Sequence, residues 1–304
     1  MGIEIRDDRF LEIVNENAKV DQLLTGFLFT EGLAWHPYER HLTFSDIRGD
    51  EMFRWHPDDS ERKGELNSYR KPSSKANGST YDLEGRLLTC EHVSSRVVRE
   101  EHDGSLTTIA SHYGDKEINS PNDIIVKSNG RIYFTDPPSG RTSRSGVERP
   151  QDLDFQGFFR VDPDGKNITL LDYEGYIVPN GLCFSLDESK LFVNDTRRDH
   201  IRVYDVTPEE KVTGGEVWAK TTPGPEGVEG YPDGMKIDSM GNLYCTGPGG
   251  IHVFTPDATC MGVIRTPEKP SNMTWGGHDM QTLFMSAFTS IYHTRVKIPG
   301  RKLF

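Results

Sequence analysis

The sequence predicts an all-β chain folded as a six-bladed β-propeller, and three observations support this. First, one short pattern recurs six times. A small polar or acidic residue opens an apolar strand, a turn follows, and a second strand ends in Ser, Thr or Asn. The copies begin at Glu31 (EGLAW), Asn77 (NGSTYD), Asn122 (NDIIV), Asn180 (NGLCF), Asp233 (DGMKID) and Asn272 (NMTWG). They close at Ser45, Thr89, Thr135, Asn194, Thr246 and Ser286, so the six hairpins are nearly equal in length. Second, the spacing between successive copies is shortest from Asp233 to Asn272 and longest from Asn122 to Asn180. These spacings bracket the roughly 40–50 residues of a propeller blade. Third, 30 Gly, 18 Pro and 10% aromatic residues suit many short strands, tight turns and aromatic packing between blades.

Taken in order, each copy supplies the two inner strands of a blade. A third strand follows in each: MFRWHPD (52–58), RVVREEHDG (96–104), GFFRVDPDG (157–165), IRVYDVTPEE (201–210), IHVFTPDA (251–258) and IYHTRVKIPG (291–300). Alternation running into PDG-type turns marks them as hairpin strands. GELNSY, SLTTIAS, NITLLDY, GEVWA and MGVIRT are the outer strands of the first five blades. The sixth copy reaches Phe304 without one, so segment 12–26 is expected to supply it and close the ring. No linker or composition break divides the chain, and residues 1–304 read as one domain. The longest irregular segment, 137–156, reads as a lid over one face.

Composition excludes some partners. A net charge of −12 leaves no basic stripe for nucleic acid. The apolar runs are strand-sized, which argues against a membrane span. The N-terminal sequence lacks the pattern of a secretory signal. Cys90, Cys183, Cys245 and Cys260 have no pairing pattern and read as reduced thiols, giving an expectation of a cytoplasmic protein.

In a propeller the equivalent residue of every blade faces one axis. Glu31 and Asp233 are carboxylates, and Asn122 and Asn180 are amides; Asn122, Asn180 and Asp233 each follow Pro. Two carboxylates and two amide oxygens suit one hard divalent cation, Ca2+ first, with Mg2+, Mn2+ or Fe2+ as alternatives. Taken singly, PND, PNG and PDG are turn signatures. Their shared repeat position is what makes them a constellation. Asn272 reads as scaffold, and Asn77, near Lys75 and the Glu91–His92 pair, as a substrate contact. Among weaker signals, His278 lies near the sixth copy, Asp136 reads as structural, and Arg141, Arg144 and Arg149 sit on the 137–156 segment.

These motifs carry a resemblance. TEGLAW, NSPNDIIV, VPNGLCF and YPDGMKID, with ANGSTYDLEGRLLTCEH and YFTDPPSG, resemble the gluconolactonase and regucalcin-like family over about residues 26–300. The resemblance implies a six-bladed propeller and an axial metal held by Glu31, Asn122, Asn180 and Asp233. It places regucalcin-type substrate contacts on Lys75 and Asn77, with lysine where that pattern has arginine. The expected function is a metal-dependent hydrolase opening a sugar lactone, a small-molecule substrate. Asp233 is the catalytic candidate, as base or nucleophile, and Lys75, Asn77, Glu91 and His92 orient substrate hydroxyls. The alternatives are a phosphotriester or non-sugar lactone hydrolase and a non-enzymatic scaffold.

Overall fold

The computed structural model describes residues 2–59, 61, 63–221 and 227–302. It is a six-bladed β-propeller. Blade 1 contains strands Thr30–His36, His41–Asp46, Glu51–Pro57 and Gly64–Arg70. Blade 2 contains Ala76–Tyr81, Leu87–Glu91, Arg96–Glu100 and Leu106–Ala110. Blade 3 contains Ile124–Val126, Ile132–Asp136, Gly157–Val161 and Thr169–Asp172. Blade 4 contains Pro179–Phe184, Lys190–Asp195, His200–Val206 and Val212–Lys220. Blade 5 runs from Met235–Ile237 through Leu243–Gly247 and Gly250–Phe254 to Cys260–Arg265, and blade 6 from Pro270–Gly276 through Thr282–Ala287 to Ser290–Arg295. Each innermost strand touches that of the next blade, and the sixth returns to the first.

The ring closes as the strand arithmetic requires. Asp21–Thr25 pairs antiparallel with Ser290–Arg295 and completes blade 6. The N-terminal segment also does something the sequence reading did not anticipate. Ile3–Ile5 adds a fifth strand to blade 5, with Ile3 opposite Ile264. Between the two strands, the short helix Phe10–Ile13 buries Phe10 and Ile13 in a core shared with Tyr244, Trp275, Phe284 and Trp35. One N-terminal stretch thus joins blades 5 and 6 before the chain enters blade 1.

Close packing around the axis explains the residue after the axial one. Gly32, Gly78, Gly181 and Gly234 each follow an axial residue, and a Cβ on any of them would collide with the next blade's axial residue. Gly78 instead donates its N–H to the Asn122 carbonyl at 2.8 Å, and Gly181 donates to the Asp233 carbonyl at 3.0 Å. The EG, NG and DG pairs are therefore close-approach signals between blades rather than turns, and the PNG of Pro179–Gly181 lies within a strand.

The carboxylates that end second strands hold the segments leading into the innermost strands. Asp46 accepts from the N–H groups of Leu28 and Phe29, both at 2.9 Å. Asp136 accepts from Asn119 at 2.7 Å and Ser120 at 2.8 Å. Asp195 accepts from Ile177 at 2.6 Å. The bonding of Asp136 is structural, and each contact stays within its own blade.

Candidate active site

The axial side chains project from where the innermost strands depart from regular pairing. The register shifts between Glu31 and Ala34, Ala76 and Ser79, Pro179 and Leu182, and Pro270 and Asn272. In blades 3 and 5 regular pairing begins only at Ile124 and Met235, just past Asn122 and Asp233. A bulge re-aims a side chain that the pleat would otherwise alternate away, so the same irregularity, repeated in four blades, turns polar groups toward the axis.

Glu31, Asn77, Asn122, Asn180 and Asp233 line one cavity of about 550 Å³. Glu31, Asn77, Asn122 and Asn180 are buried, Glu31 to 3% exposure, and Asp233 is half-buried. Asn272 stands behind them and donates its Nδ2 to Glu31 Oε2 at 3.1 Å, with the Gly32 N–H on the same oxygen at 2.9 Å. Asn180 donates its Nδ2 to Thr196 Oγ1 at 3.0 Å. Thr196 in turn donates to the Pro232 carbonyl at 2.8 Å, tying blade 4 to the approach of Asp233. Burial pushes Glu31 up to about 7. Burial first, and the Glu31 charge second, hold Asp233 well above the ordinary carboxylate range.

His92 and Asn77 form a bonded pair. The Ser145 carbonyl, an obligate acceptor, lies 2.9 Å from His92 Nδ1, so Nδ1 carries the proton. Nε2 then accepts from Asn77 Nδ2 at 3.1 Å. This fixes the amide orientation and leaves Asn77 Oδ1 buried without a hydrogen bond among the described residues. Burial pushes His92 down to about 4, so it is neutral at pH 7.

Lys75 and Glu91 do not reach this cavity. The Glu91 carboxylate is held by Arg96 at 2.7 Å, Arg70 at 3.5 Å and Ser94 Oγ at 2.5 Å, with no face left for a substrate. The Lys75 N–H donates to Asp50 at 2.6 Å, and its backbone has φ +50°. His278 is also elsewhere: it lies past the far end of its innermost strand, exposed, with its N–H on Glu61. The 137–156 segment is tied down by two of its arginines. Arg141 donates to the carbonyls of Asn119 and Ile118, each at 2.7 Å, and pairs with Glu117 at 2.7 Å. Arg149 donates to Val93 O and Ser95 Oγ, each at 2.5 Å. Of the segment's three arginines, Arg144 alone lines the cavity.

Sequence reasoning missed much of the wall: Arg48, Arg197, Glu229, Tyr231 and Lys269. A signal existed. SDIR (45–48) and NDTR (194–197) occupy the same repeat position, each arginine following closely on the Asp that ends a second strand. Also missed was Asp123, 1% exposed beside the cage, with Lys236 Nζ at 3.7 Å from its carboxylate. No cluster of three or more His, Cys, Asp or Glu residues suited to a metal occurs among the described residues. The axial set of two acids and two amides is a different donor type, and it fits a hard cation on its chemistry. It is all-oxygen, the charge of Glu31 opposes that of Asp233, and beside it lies the unpaired acceptor Asn77 Oδ1.

A family model described as SMP-30/Gluconolactonase/LRE-like region matches residues 29–289. The gluconolactonase of Zymomonas mobilis is 30% identical over 307 residues, spanning 95% of this chain and 84% of that protein. The pentonolactonase of Haloferax volcanii is 27% identical over 262 residues, spanning 84% of this chain and 80% of that protein. The solved structure of a Xanthomonas campestris gluconolactonase superposes with a TM-score of 0.88 at 28% identity, covering 97% of this chain and 95% of that one. The chain belongs to the SMP-30/gluconolactonase/LRE-like family.

Proposed function

We propose that the protein is a divalent-metal-dependent lactonase that hydrolyses sugar lactones in the cavity at the propeller axis. The observation that carries this reading is the convergence of Glu31, Asn122, Asn180 and Asp233 on one polar cavity. Family membership and the lactonases among its relatives support it. The four cysteines are free, in keeping with a cytoplasmic enzyme.

Glu31, Asn122, Asn180 and Asp233 would hold the ion, Ca2+ in the first instance. When bound, it supplies Lewis-acid polarisation of the lactone carbonyl. The other tasks fall to the chain's own groups. Asp233 takes a proton from the attacking water as the water oxygen bonds to the carbonyl carbon; the ring acyl–oxygen bond then breaks and Asp233 returns that proton to the leaving alkoxide. His92 has both ring nitrogens engaged, so its part is to hold Asn77 with Oδ1 available to a substrate hydroxyl.

Asp233→Asn keeps the shape of the side chain but cannot take up the proton. With sugar lactones in a pH-stat, and with calcium, magnesium or manganese supplied in turn, the variant should lose at least about 10²-fold in kcat. Its circular dichroism should be unchanged. Near-parental turnover would remove Asp233 from this role.

A further inference from the structure

Four cations line the mouth of this cavity: Arg48, Arg144, Arg197 and Lys269. They come from four different connections on the face where the axial residues begin. Arg48 and Arg197 follow second strands, Arg144 lies on the 137–156 segment, and Lys269 precedes the innermost strand of blade 6.

None of the four is in an ion pair among the described residues. Arginines elsewhere, such as Arg86, Arg96, Arg131 and Arg295, are paired at 2.8, 2.7, 2.5 and 2.5 Å. Arg48 is held by rings instead, its guanidinium 5.0 Å from the Phe29 centroid and 5.4 Å from that of Phe288, with Nε buried and unpartnered. Lys269 sits 4.0 Å over Tyr231. Aromatic faces position a cation without neutralising it.

The four are also neighbours. Arg144 disfavours the charge of Arg48, after burial; for Lys269 burial comes first, Asp233 and Glu229 favour its charge, and Arg144 and Arg197 disfavour it. Among the described residues Glu229 is the one carboxylate on the wall; the other two lining the cavity, Glu31 and Asp233, belong to the axial cage. In a protein of net charge −12, this is a local reversal of sign at the opening of the cavity. Like charges left unpaired and held close together cost stability, and a bound anion relieves that cost.

We propose that the substrate carries an anionic group, a carboxylate or a phosphate, remote from the lactone carbonyl, and that Arg48, Arg144, Arg197 and Lys269 bind it. This rests on the lactonase reading of the same cavity. The carbonyl lies at the axial cage, and the anion reaches the cationic rim. Arginine's planar fork suits either anion, and the test below separates them.

The test uses ring-opened acids that differ only at the far terminus: gluconate, glucarate and 6-phosphogluconate. Calorimetric titration of the purified protein should give at least about tenfold tighter binding for glucarate or 6-phosphogluconate than for gluconate, and the tighter of the two names the anion. Arg144→Gln and Arg197→Gln, singly and combined, should pull that ratio toward one, and added salt should do the same. Equal affinities, no binding by any of the three, or a preference that survives the combined variant would overturn the proposal. The corresponding lactones in a pH-stat keep the two readings apart. An intact binding preference with no lactone hydrolysed would sink the lactonase reading and leave the anion site standing.

Discussion

The two ends of the propeller axis are built by the same six strands and carry opposite chemistry. At one end the position that opens each repeat supplies Glu31, Asn77, Asn122, Asn180, Asp233 and Asn272. Further along the same strands lie Ala34, Thr80, Ile125, Cys183, Lys236 and Trp275, which line a second, largely apolar cavity at the other end. That cavity is bordered by Arg301 and Lys302, and Arg301 reaches Glu188 of blade 4 at 2.7 Å. The polar cavity-lining groups sit at or just before strand beginnings, aimed in four blades by register shifts. Packing groups sit where pairing is regular. The candidate site and the apolar packing are thus separated along the strand rather than between strands, and substitutions at the two ends should be separable too.

The largest expected effect lies at the apolar end. Trp275 is 4% exposed and meets Tyr244 edge to face at 4.7 Å. Trp275→Ala should cost about 3–5 kcal/mol in urea unfolding, by lost transfer energy plus the cavity left behind. The folded fraction should keep the parental rate of lactone hydrolysis. An equal loss of rate at full folding would dissolve the distinction between the ends.

The next effect sharpens the boundary. Lys236 is the one charged member of the apolar ring and stands 3.7 Å from Asp123, whose carboxylate burial holds above its ordinary range. Lys236→Met leaves that carboxylate buried without its cation and should cost about 2 kcal/mol, less than for a fully buried pair because Lys236 is partly exposed. Asp123→Asn in the same chain should recover most of the loss. Simple additivity in this double-mutant cycle would show that the pair does not couple the two ends.

The smallest effect is a pH dependence at the polar end. His92 titrates near 4 when folded, against an ordinary value of 6.5, because burial disfavours its charge. As pH falls through about 6.5 the unfolded chain takes up the proton and the folded one does not. Stability is therefore intact above that pH and declines from there toward 4. The share owed to His92 reaches roughly 1 kcal/mol by pH 5.5. In urea titrations His92→Gln should flatten that part of the slope; an unchanged slope would mean that His92 is not held neutral.

Much of this was legible in the sequence because a closed repeat turns linear position into radial position. The six starting residues found the axis, and the strand count found the closing strand Asp21–Thr25. What escaped lay outside that logic. Ile3–Ile5 pairs with blade 5 as an extra strand, which no missing element demanded. Lys75 and Glu91 are near the right residues in sequence, but Glu91 is consumed by Arg70 and Arg96. Of the rim cations, Arg144 and Lys269 come from connections that have no common offset. Arg48 and Arg197 do share one, and it would have been readable had the second strand been followed past its terminal Asp.

The double pairing of the N-terminal stretch has a kinetic consequence. Ile3 must find Ile264 and Gln22 must find Tyr292 before blades 5 and 6 are complete. Such contacts span nearly the whole chain, so ring formation is governed by a long-range search rather than by local hairpins, which form quickly within each blade. Until that search ends, blade 6 has an open edge of unpaired backbone groups. The unclosed ring is therefore the species most exposed to edge-to-edge association, and the N-terminal stretch up to Thr25 protects the rest of the molecule during folding.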